Sequence, residues 1–292
     1  MTAGPAAAAR RHGAGWTAAA LLGPASVVVT LGILLPIVIL FRYSLNRFTP
    51  ARVMVDAVTV ENYVKFVTDP FYLGVLARTL RVATVCTALC LGLGFPVALC
   101  LARTRSRVKN LLLMAIVLPL FVGNAVRAAG WMVMLGNRGA VNAALLGLGL
   151  IRQPLQLMYT ELAVVAGIVA VNLPFVVLSI QAALEGIDRA VEEAALSLGA
   201  GPLRAFRRVV LPLALPGVIT GVTLCFILAM NAYATPILLG GPLFQMMGPA
   251  VYDQFVGVSN WPFGAALAFV LMTATLALTL ASGWLARRRY RR

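Results

Sequence analysis

Residues 184–212 read LEGIDRAVEEAALSLGAGPLRAFRRVVLP, a charged and regularly patterned stretch in a chain that is otherwise short of polar residues. Apolar residues recur here at helical spacing and form one stripe: Ile187, Val191, Ala194, Ala195 and Leu198. Asp188 falls in the predicted first turn, where the helix dipole favours an anion, and Gly199 follows the stripe as a C-terminal stop. The stretch predicts a short amphipathic helix over about 186–203, followed by a turn and a second, basic helix start. Its apolar side needs lipid, the chain's own helices or another protein's groove as a partner.

Outside this stretch the chain is strongly apolar. Of its 292 residues, 61% are hydrophobic and 11% are charged, whereas an average soluble protein has roughly 25% charged residues. This composition excludes a soluble globular enzyme. The net charge of +15 could indicate a nucleic-acid partner. Such binding requires a basic surface exposed to water, and the high apolar content leaves little room for a surface of that kind. The composition therefore indicates a membrane protein.

Six apolar stretches are long enough to cross a bilayer, which needs about 20 apolar residues per helix. We predict spans at 17–41, 79–101, 111–135, 162–183, 212–235 and 264–286. The first is too long for the apolar region of a cleavable secretory signal, so we expect it to be a retained helix. The sequence predicts an all-α polytopic membrane protein with six transmembrane helices.

The distribution of charge predicts the orientation of these spans. The segments assigned to the inner side carry 15 of the 24 basic and 4 of the 9 acidic residues, a net charge of +11, against +4 for the remainder. Because basic loops stay in the cytoplasm, we expect both termini to be cytoplasmic. The predicted organisation is an N-terminal tail at 1–15, a membrane domain at 16–286 and a basic C-terminal tail at 287–292.

The side chains that covalent chemistry requires are missing from the predicted spans. The single histidine is His12, in the N-terminal tail, and the four cysteines all fall within spans, where they behave as small apolar residues. No zinc site, Ser-His-Asp triad or phosphate-binding P-loop is supported. We expect no catalytic residue, no metal site and no cofactor in this chain. If the protein uses ATP, another chain must hydrolyse it.

The spacing within residues 193–212 resembles a known family. Glu193-Ala194-Ala195, Gly199, Val209 and Leu211-Pro212 are similar to the EAA signature of permease subunits in binding-protein-dependent ABC importers. The family usually has Ile where Val209 stands. The resemblance implies the type I (MetI-like) importer fold and makes this loop the coupling helix that contacts an ATPase subunit. It implies that Glu193 anchors the contact and Gly199 permits the turn. The implied coupling residues are Glu192, Glu193, Ala194, Ala195, Leu198, Gly199, Leu203 and Phe206. The alternative is an interfacial helix with no protein partner.

The resemblance extends over roughly residues 30–285 and is greatest to permeases of the spermidine/putrescine type. Motifs that carry it include Glu61-Asn62-Tyr63, Arg78-Thr79-Leu80, Phe95-Pro96-Val97-Ala98, Leu118-Pro119-Leu120-Phe121, Leu173-Pro174-Phe175 and Trp261-Pro262-Phe263-Gly264. It implies a polyamine as the first expected solute, with a phosphonate, an opine, an amino-acid-like compound or iron as alternatives.

The resemblance also implies a set of partners in a bacterial inner membrane. These are a second, homologous but different permease subunit that forms a heterodimer with this chain, two ATPase subunits that bind ATP and Mg, and a periplasmic or lipid-anchored binding protein that delivers the solute. No nucleic acid is expected.

Five residues are candidates for the translocation path: Arg127, Trp131, Asn172, Asn231 and Tyr233. A charge within a membrane span is a functional hypothesis by default, but Arg127 also stands near enough to a span end to reach the interface. Asn side chains in membranes often join helices by hydrogen bonds, and this interpretation is favoured for Asn172. No predicted span interior contains an acidic residue, which weighs modestly against a polyamine.

Two function classes compete with the importer interpretation. A membrane-embedded enzyme needs a catalytic pair inside the spans, where only Ser, Asn, Tyr and Arg are available. An ion-coupled secondary transporter or channel needs membrane carboxylates or repeated halves. Neither pattern is found in the spans.

Overall fold

A computed structural model describes residues 6–50, 52–104 and 107–290. Its α-helices are α1 (Ala6–Ser44), α2 (Glu61–Thr68), α3 (Pro70–Arg103), α4 (Arg107–Val117), α5 (Asn124–Leu135), α6 (Ala140–Gly147), α7 (Glu161–Glu185), α8 (Arg189–Ser197), α9 (Pro202–Ala205), α10 (Leu211–Met230), α11 (Met247–Tyr252) and α12 (Trp261–Tyr290). The described part contains no strand, only an isolated antiparallel bridge between Arg47 and Val55. The predicted terminal segments 1–15 and 287–292 lie partly outside the described residues, at 1–5 and 291–292, and their described parts continue α1 and α12.

Five helical segments in the described residues are long and apolar enough to cross a membrane: Leu22–Ser44, Pro70–Arg103, Glu161–Glu185, Pro202–Met230 and Trp261–Trp284. A sixth span exists only if the bent pair Val108–Phe121 and Asn124–Gly147 is counted as one. The membrane-spanning, all-helical fold is thereby confirmed.

The prediction of one continuous third span over 111–135 is wrong. α4 passes into a 3₁₀ turn at Leu118–Phe121, and the chain then bends by 102° before α5. Pro119 removes a backbone donor in this turn, and Val122 adopts an extended conformation that ends the helix. The charge-free length of a sequence does not register such a break, which explains the error.

Two other predicted boundaries also move. α3 begins at Pro70, nine residues before the predicted start, because Asp69 caps it by accepting from the Phe71 amide at 2.9 Å. The helix therefore already contains Arg78, one residue before the predicted start of the span. The fifth span ends at Met230 and not at residue 235, since the helix stops at Asn231.

The core of the molecule is the packing of α3, α7 and α10, and small residues allow these helices to approach closely. A Cβ added to Gly217 on α10 would lie 2.3 Å from the Ala183 Cβ and 2.8 Å from the Ser179 carbonyl oxygen, both on α7. Close approach at small residues is the usual way that membrane helices associate, since lipid gives no hydrophobic driving force between them. The α7–α10 contact therefore depends on the absence of a side chain at Gly217.

We expect Gly217→Ala to destabilise the protein even though alanine favours a helix by about 1 kcal/mol over glycine. The added methyl group collides with α7 backbone, which must move. Gly92→Ala on α3 is the matched control, because a Cβ there meets nothing within 4 Å. Thermal unfolding in detergent should show a lower midpoint for Gly217→Ala and an unchanged or higher one for Gly92→Ala. Equal midpoints for the two variants would contradict this account of the core.

Candidate coupling site and translocation path

The predicted amphipathic helix over about 186–203 is shorter in the structure and forms α8 at Arg189–Ser197. Asp188 precedes the helix as its N-cap, accepting from the Ala190 amide at 3.0 Å, and is not part of the first turn. Gly199 ends the helix with φ of +84°, a conformation that favours glycine. The chain then re-enters helix at Pro202, and this helix continues through a π turn at Phe206–Val210 into α10. The helix-turn-helix prediction is therefore correct in outline.

Ion pairs hold α8 against the rest of the chain. The Arg103 Nη2 atom, at the end of α3, donates to both carboxylate oxygens of Glu192 at 2.8 Å. In the other direction, the Arg189 Nη2 atom donates a hydrogen bond to the Arg103 carbonyl oxygen at 2.8 Å. Beside them, Lys109 donates to Glu185 at 2.6 Å and so connects α4 to the end of α7. α8 is thus bonded directly to the end of α3, and the neighbouring pair joins α4 to α7 beside it.

The five glutamates of the chain differ in one respect that bears on this site. Four of them form ion pairs within the chain: Glu61 with Arg47, Glu161 with Arg81, Glu185 with Lys109 and Glu192 with Arg103. Among the described residues, Glu193 has no such pair, and it is exposed. Of the two adjacent acidic residues on α8, therefore, Glu192 faces the chain and Glu193 faces outward.

The apolar residues around α8 divide in the same way. Ile187, Ala195 and Phe206 are half-buried, and Phe206 packs edge-on against Phe95 of α3 with ring centroids 5.7 Å apart. Leu198 is 89% exposed and Leu203 is 70% exposed. We call the exposed residues Glu193, Ala194, Leu198 and Leu203 the coupling face. The predicted single apolar stripe is thus split between an anchored side and this exposed one.

A cavity of about 870 Å³ opens beside α8, between the ends of α3 and α7 and the start of α4. Its polar lining includes Arg103, Thr104, Lys109, Glu185, Glu192 and Glu193. Two ion pairs, Arg103 with Glu192 and Lys109 with Glu185, account for four of these charged groups. Of its two carboxylates without an ion pair, Asp188 caps α8, and Glu193 is left without a bonded partner among the described residues.

The five path candidates lie on three parts of the fold: α7, α5 and the end of α10. Asn172 is buried and donates to the Cys225 carbonyl oxygen of α10 at 3.4 Å, which agrees with the helix-joining interpretation. Arg127 lies on α5 directly after the chain bend, bonded to Asn124, and Trp131 lies one turn further on. Within the described residues, the Arg127 Nε and Nη1 atoms are buried and have no hydrogen-bond partner.

Asn231 and Tyr233 lie together where α10 ends, and both are exposed. The Tyr233 ring contacts that of Tyr252 on α11, with centroids 4.8 Å apart. Sequence reasoning missed Tyr252. It stands in a segment assigned to an external loop, and nothing in its spacing from Tyr233 signals a contact between their rings.

Comparison with known proteins agrees with this architecture. Residues 91–291 match the family described as the binding-protein-dependent transport system inner membrane component. The chain is 36% identical over 230 residues to the spermidine/putrescine transport system permease protein PotB of Escherichia coli K12, covering 79% of this chain and 83% of that protein. It is 35% identical over 223 residues to PotB of Haemophilus influenzae, covering 76% and 77%.

Solved structures of ABC transporters share the fold at low sequence identity. A chain of the bacterial alginate ABC transporter, in complex with its alginate pentasaccharide-bound periplasmic protein, matches with a TM-score of 0.76 at 15% identity and 96% coverage of both chains. A chain of the MetNI methionine ABC transporter matches with a TM-score of 0.55 at 18% identity, covering 77% of this chain and 98% of that one. The family match covers more than half of the chain, and the chain therefore belongs to the binding-protein-dependent transport system inner membrane components, the multi-pass permease subunits of ABC importers.

Proposed function

We propose that this chain forms half of the pathway of an ATP-driven polyamine importer and that α8 is the point at which the ATPase acts on it. The observation that carries the coupling role is the outward-facing, unpaired Glu193 on a helix otherwise fixed by ion pairs. The similarity to PotB over 79% of the chain supports a polyamine such as spermidine or putrescine as the solute.

The arrangement of α8 suits it to transmit movement. It is pinned to α3 by Arg103 and Glu192, and it is followed after one turn by the continuous helix at 202–230. A displacement of α8 by a partner therefore moves α3 and α10, two of the three core helices. When the ATPase subunits close on ATP, the pathway changes from inward-open to outward-open by a shift between two populated states.

The proposal includes the partners that this cycle requires. A second homologous permease completes the pathway, and two ATPase subunits bind ATP and Mg and dock on the coupling helices. A binding protein outside the membrane delivers the solute. No cofactor belongs to this chain, and both of its termini lie in the cytoplasm.

An uptake assay on the assembled transporter tests the identity of the solute. The chain is expressed with the permease, ATPase and binding protein encoded beside it, and the complex is reconstituted in proteoliposomes with ATP on the ATPase side. We expect accumulation of labelled spermidine or putrescine that requires both ATP and the binding protein. Accumulation of a phosphonate, an opine, an amino acid or iron in place of polyamines would contradict the polyamine proposal and leave the importer class intact. Uptake driven by an ion gradient without ATP would contradict the class.

A further inference from the structure

Three arginine side chains stand together just before the fifth span. Arg204, Arg207 and Arg208 follow the turn at Gly201 and are all exposed. Residues three and four positions apart are neighbours on the surface of a helix, so the three guanidinium groups are held on one side. They border a hollow of about 670 Å³, the arginine hollow, whose lining is completed by Gly199, Gly201, Pro202 and Leu203.

The charge of the arginine hollow is not balanced within the described part of the chain. Four other basic residues each form an ion pair with a glutamate, whereas Arg204, Arg207 and Arg208 form none among the described residues. The described lining of the hollow contains no aspartate or glutamate. The two glutamates of α8, Glu192 and Glu193, line the separate cavity beside α3 and α7. The arginine hollow therefore suits an anion that another molecule supplies.

The position of the arginines along the helix places them at the level of the lipid headgroups. α10 runs for 20 residues from Leu211 to Met230, which gives it a length of about 30 Å. This length matches the hydrocarbon core of a typical bilayer, also about 30 Å thick. The three arginines precede Leu211 by three to seven residues, or about 5–10 Å at the rise of an α-helix. They therefore stand in the layer that contains the phosphate groups.

Arginine is well suited to the phosphate of a phospholipid. Its planar guanidinium group presents donors in a fork that binds two phosphate oxygens at once. Basic clusters directly beside the cytoplasmic end of a membrane helix attract anionic lipids, and basic pockets at that level bind their headgroups. Phosphatidylcholine also carries a phosphate, but its ammonium group is repelled by three arginines. A lipid with net negative charge, such as phosphatidylglycerol, is not opposed in this way.

An ATPase subunit is the competing occupant, because Leu203 of the coupling face borders the hollow. Two observations favour lipid. Arg207 and Arg208 lie four and five residues beyond Leu203 along the helix that enters the membrane, or about 6–8 Å closer to the bilayer. The coupling face presents the carboxylate of Glu193 to a partner, whereas the charged groups of the hollow are all basic. The two surfaces therefore differ in both level and charge.

We propose that the arginine hollow binds the headgroup of an anionic phospholipid, with Arg204, Arg207 and Arg208 on its phosphate. This site goes beyond the transport function and does not depend on which solute is carried. The helix continues from the hollow into α10 without a break in its span. A lipid bound here therefore holds the end of a core helix that lies next to α8.

The test measures which lipid stays bound to the purified transporter complex. The complex in detergent is mixed with equal amounts of phosphatidylglycerol and phosphatidylcholine of identical acyl chains, and bound lipid is counted by native mass spectrometry. We expect a preference for phosphatidylglycerol that falls at least about tenfold in the triple variant Arg204→Gln, Arg207→Gln and Arg208→Gln. The matched control removes the same charge from exposed arginines in connecting segments outside the hollow, and we expect it to keep the preference: Arg52→Gln, Arg138→Gln and Arg152→Gln.

Four other results would overturn the inference. An unchanged preference in the triple variant of the hollow means that the lipid binds elsewhere. An equal loss in the control variant means that the net charge of the complex, and not the hollow, selects the lipid. Displacement of phosphatidylglycerol by an equal concentration of inorganic phosphate means that the hollow takes a free oxyanion. Loss of co-purified ATPase from the triple variant, with its lipid preference retained, means that the arginines contact the ATPase.

Discussion

Leu198→Arg is expected to separate this chain from its ATPase partner while leaving its own fold intact. Leu198 is 89% exposed and stands directly before Gly199, so the larger side chain collides with nothing in the chain. If the coupling face inserts into a groove of the ATPase, the change removes a buried leucine, a loss of about 1.5–3 kcal/mol. It also places an unpaired charge in that groove, which costs several kcal/mol more. We therefore expect co-purified ATPase to fall at least about 100-fold.

Leu243→Arg is the matched control for this experiment. Leu243 is 92% exposed and lies between the end of the 236–240 turn and α11, on the side of the molecule opposite to α8. It offers the same chemical change at the same exposure. We expect the Leu243 variant to retain the ATPase, and comparable retention by the Leu198 variant would show that the coupling face is not buried in the complex.

Reversing the charge of Arg103 is expected to uncouple ATP hydrolysis from transport. Arg103→Glu places a carboxylate beside Glu192, so the bidentate pair that holds α8 to α3 becomes a repulsion. Both partners are partly exposed, and such a pair contributes no more than about 1 kcal/mol to stability. The protein should therefore fold and reach the membrane. The side-chain pair between α8 and α3 is lost, which leaves, among the described residues, only the bond from Arg189 to the main-chain carbonyl oxygen at position 103. ATP-driven uptake should therefore fall roughly tenfold or more, as expected when an interaction that transmits movement is lost.

A double exchange distinguishes this pairing from a general effect of charge. Arg103→Glu combined with Glu192→Arg restores opposite charges at the same two positions. We expect the double variant to recover a large part of the uptake, measured with equal amounts of assembled complex. An uptake no better than that of Arg103→Glu alone would show that the pair does not transmit the movement of α8.

Much of this architecture is encoded locally and was predictable. The long charge-free stretches predict the spans, and the spacing of Asp188, the apolar residues and Gly199 predicts the helix that became α8. These features follow from helix periodicity and from the cost of charge in a bilayer. The family resemblance then predicts that this helix meets a protein partner, without distinguishing Glu192 from Glu193.

The features that sequence reasoning missed depend on contacts between distant residues. The pairing of Arg103 with Glu192 joins positions 89 residues apart, and it decides which of two adjacent glutamates is free. The contact of Tyr233 with Tyr252 likewise depends on α11 packing against Ala232 at Gly248. The bend after Phe121 was missed for a different reason. The apolar composition of this segment suits a straight helix and a broken one equally well. The break is decided by the turn at Pro119 and the extended conformation of Val122.

Site-specific cross-linking shows whether Glu193 on α8 lies against the ATPase in the assembled complex. Glu193→Cys is introduced into a Cys100→Ser background, because Cys100 is the exposed native thiol while Cys86, Cys90 and Cys225 are buried. The assembled complex is treated with a short thiol-to-amine cross-linker in membranes. We expect an adduct between this chain and the ATPase subunit, and we expect its yield to change when ATP is added. Adducts with lipid alone, or with no other protein, would contradict it.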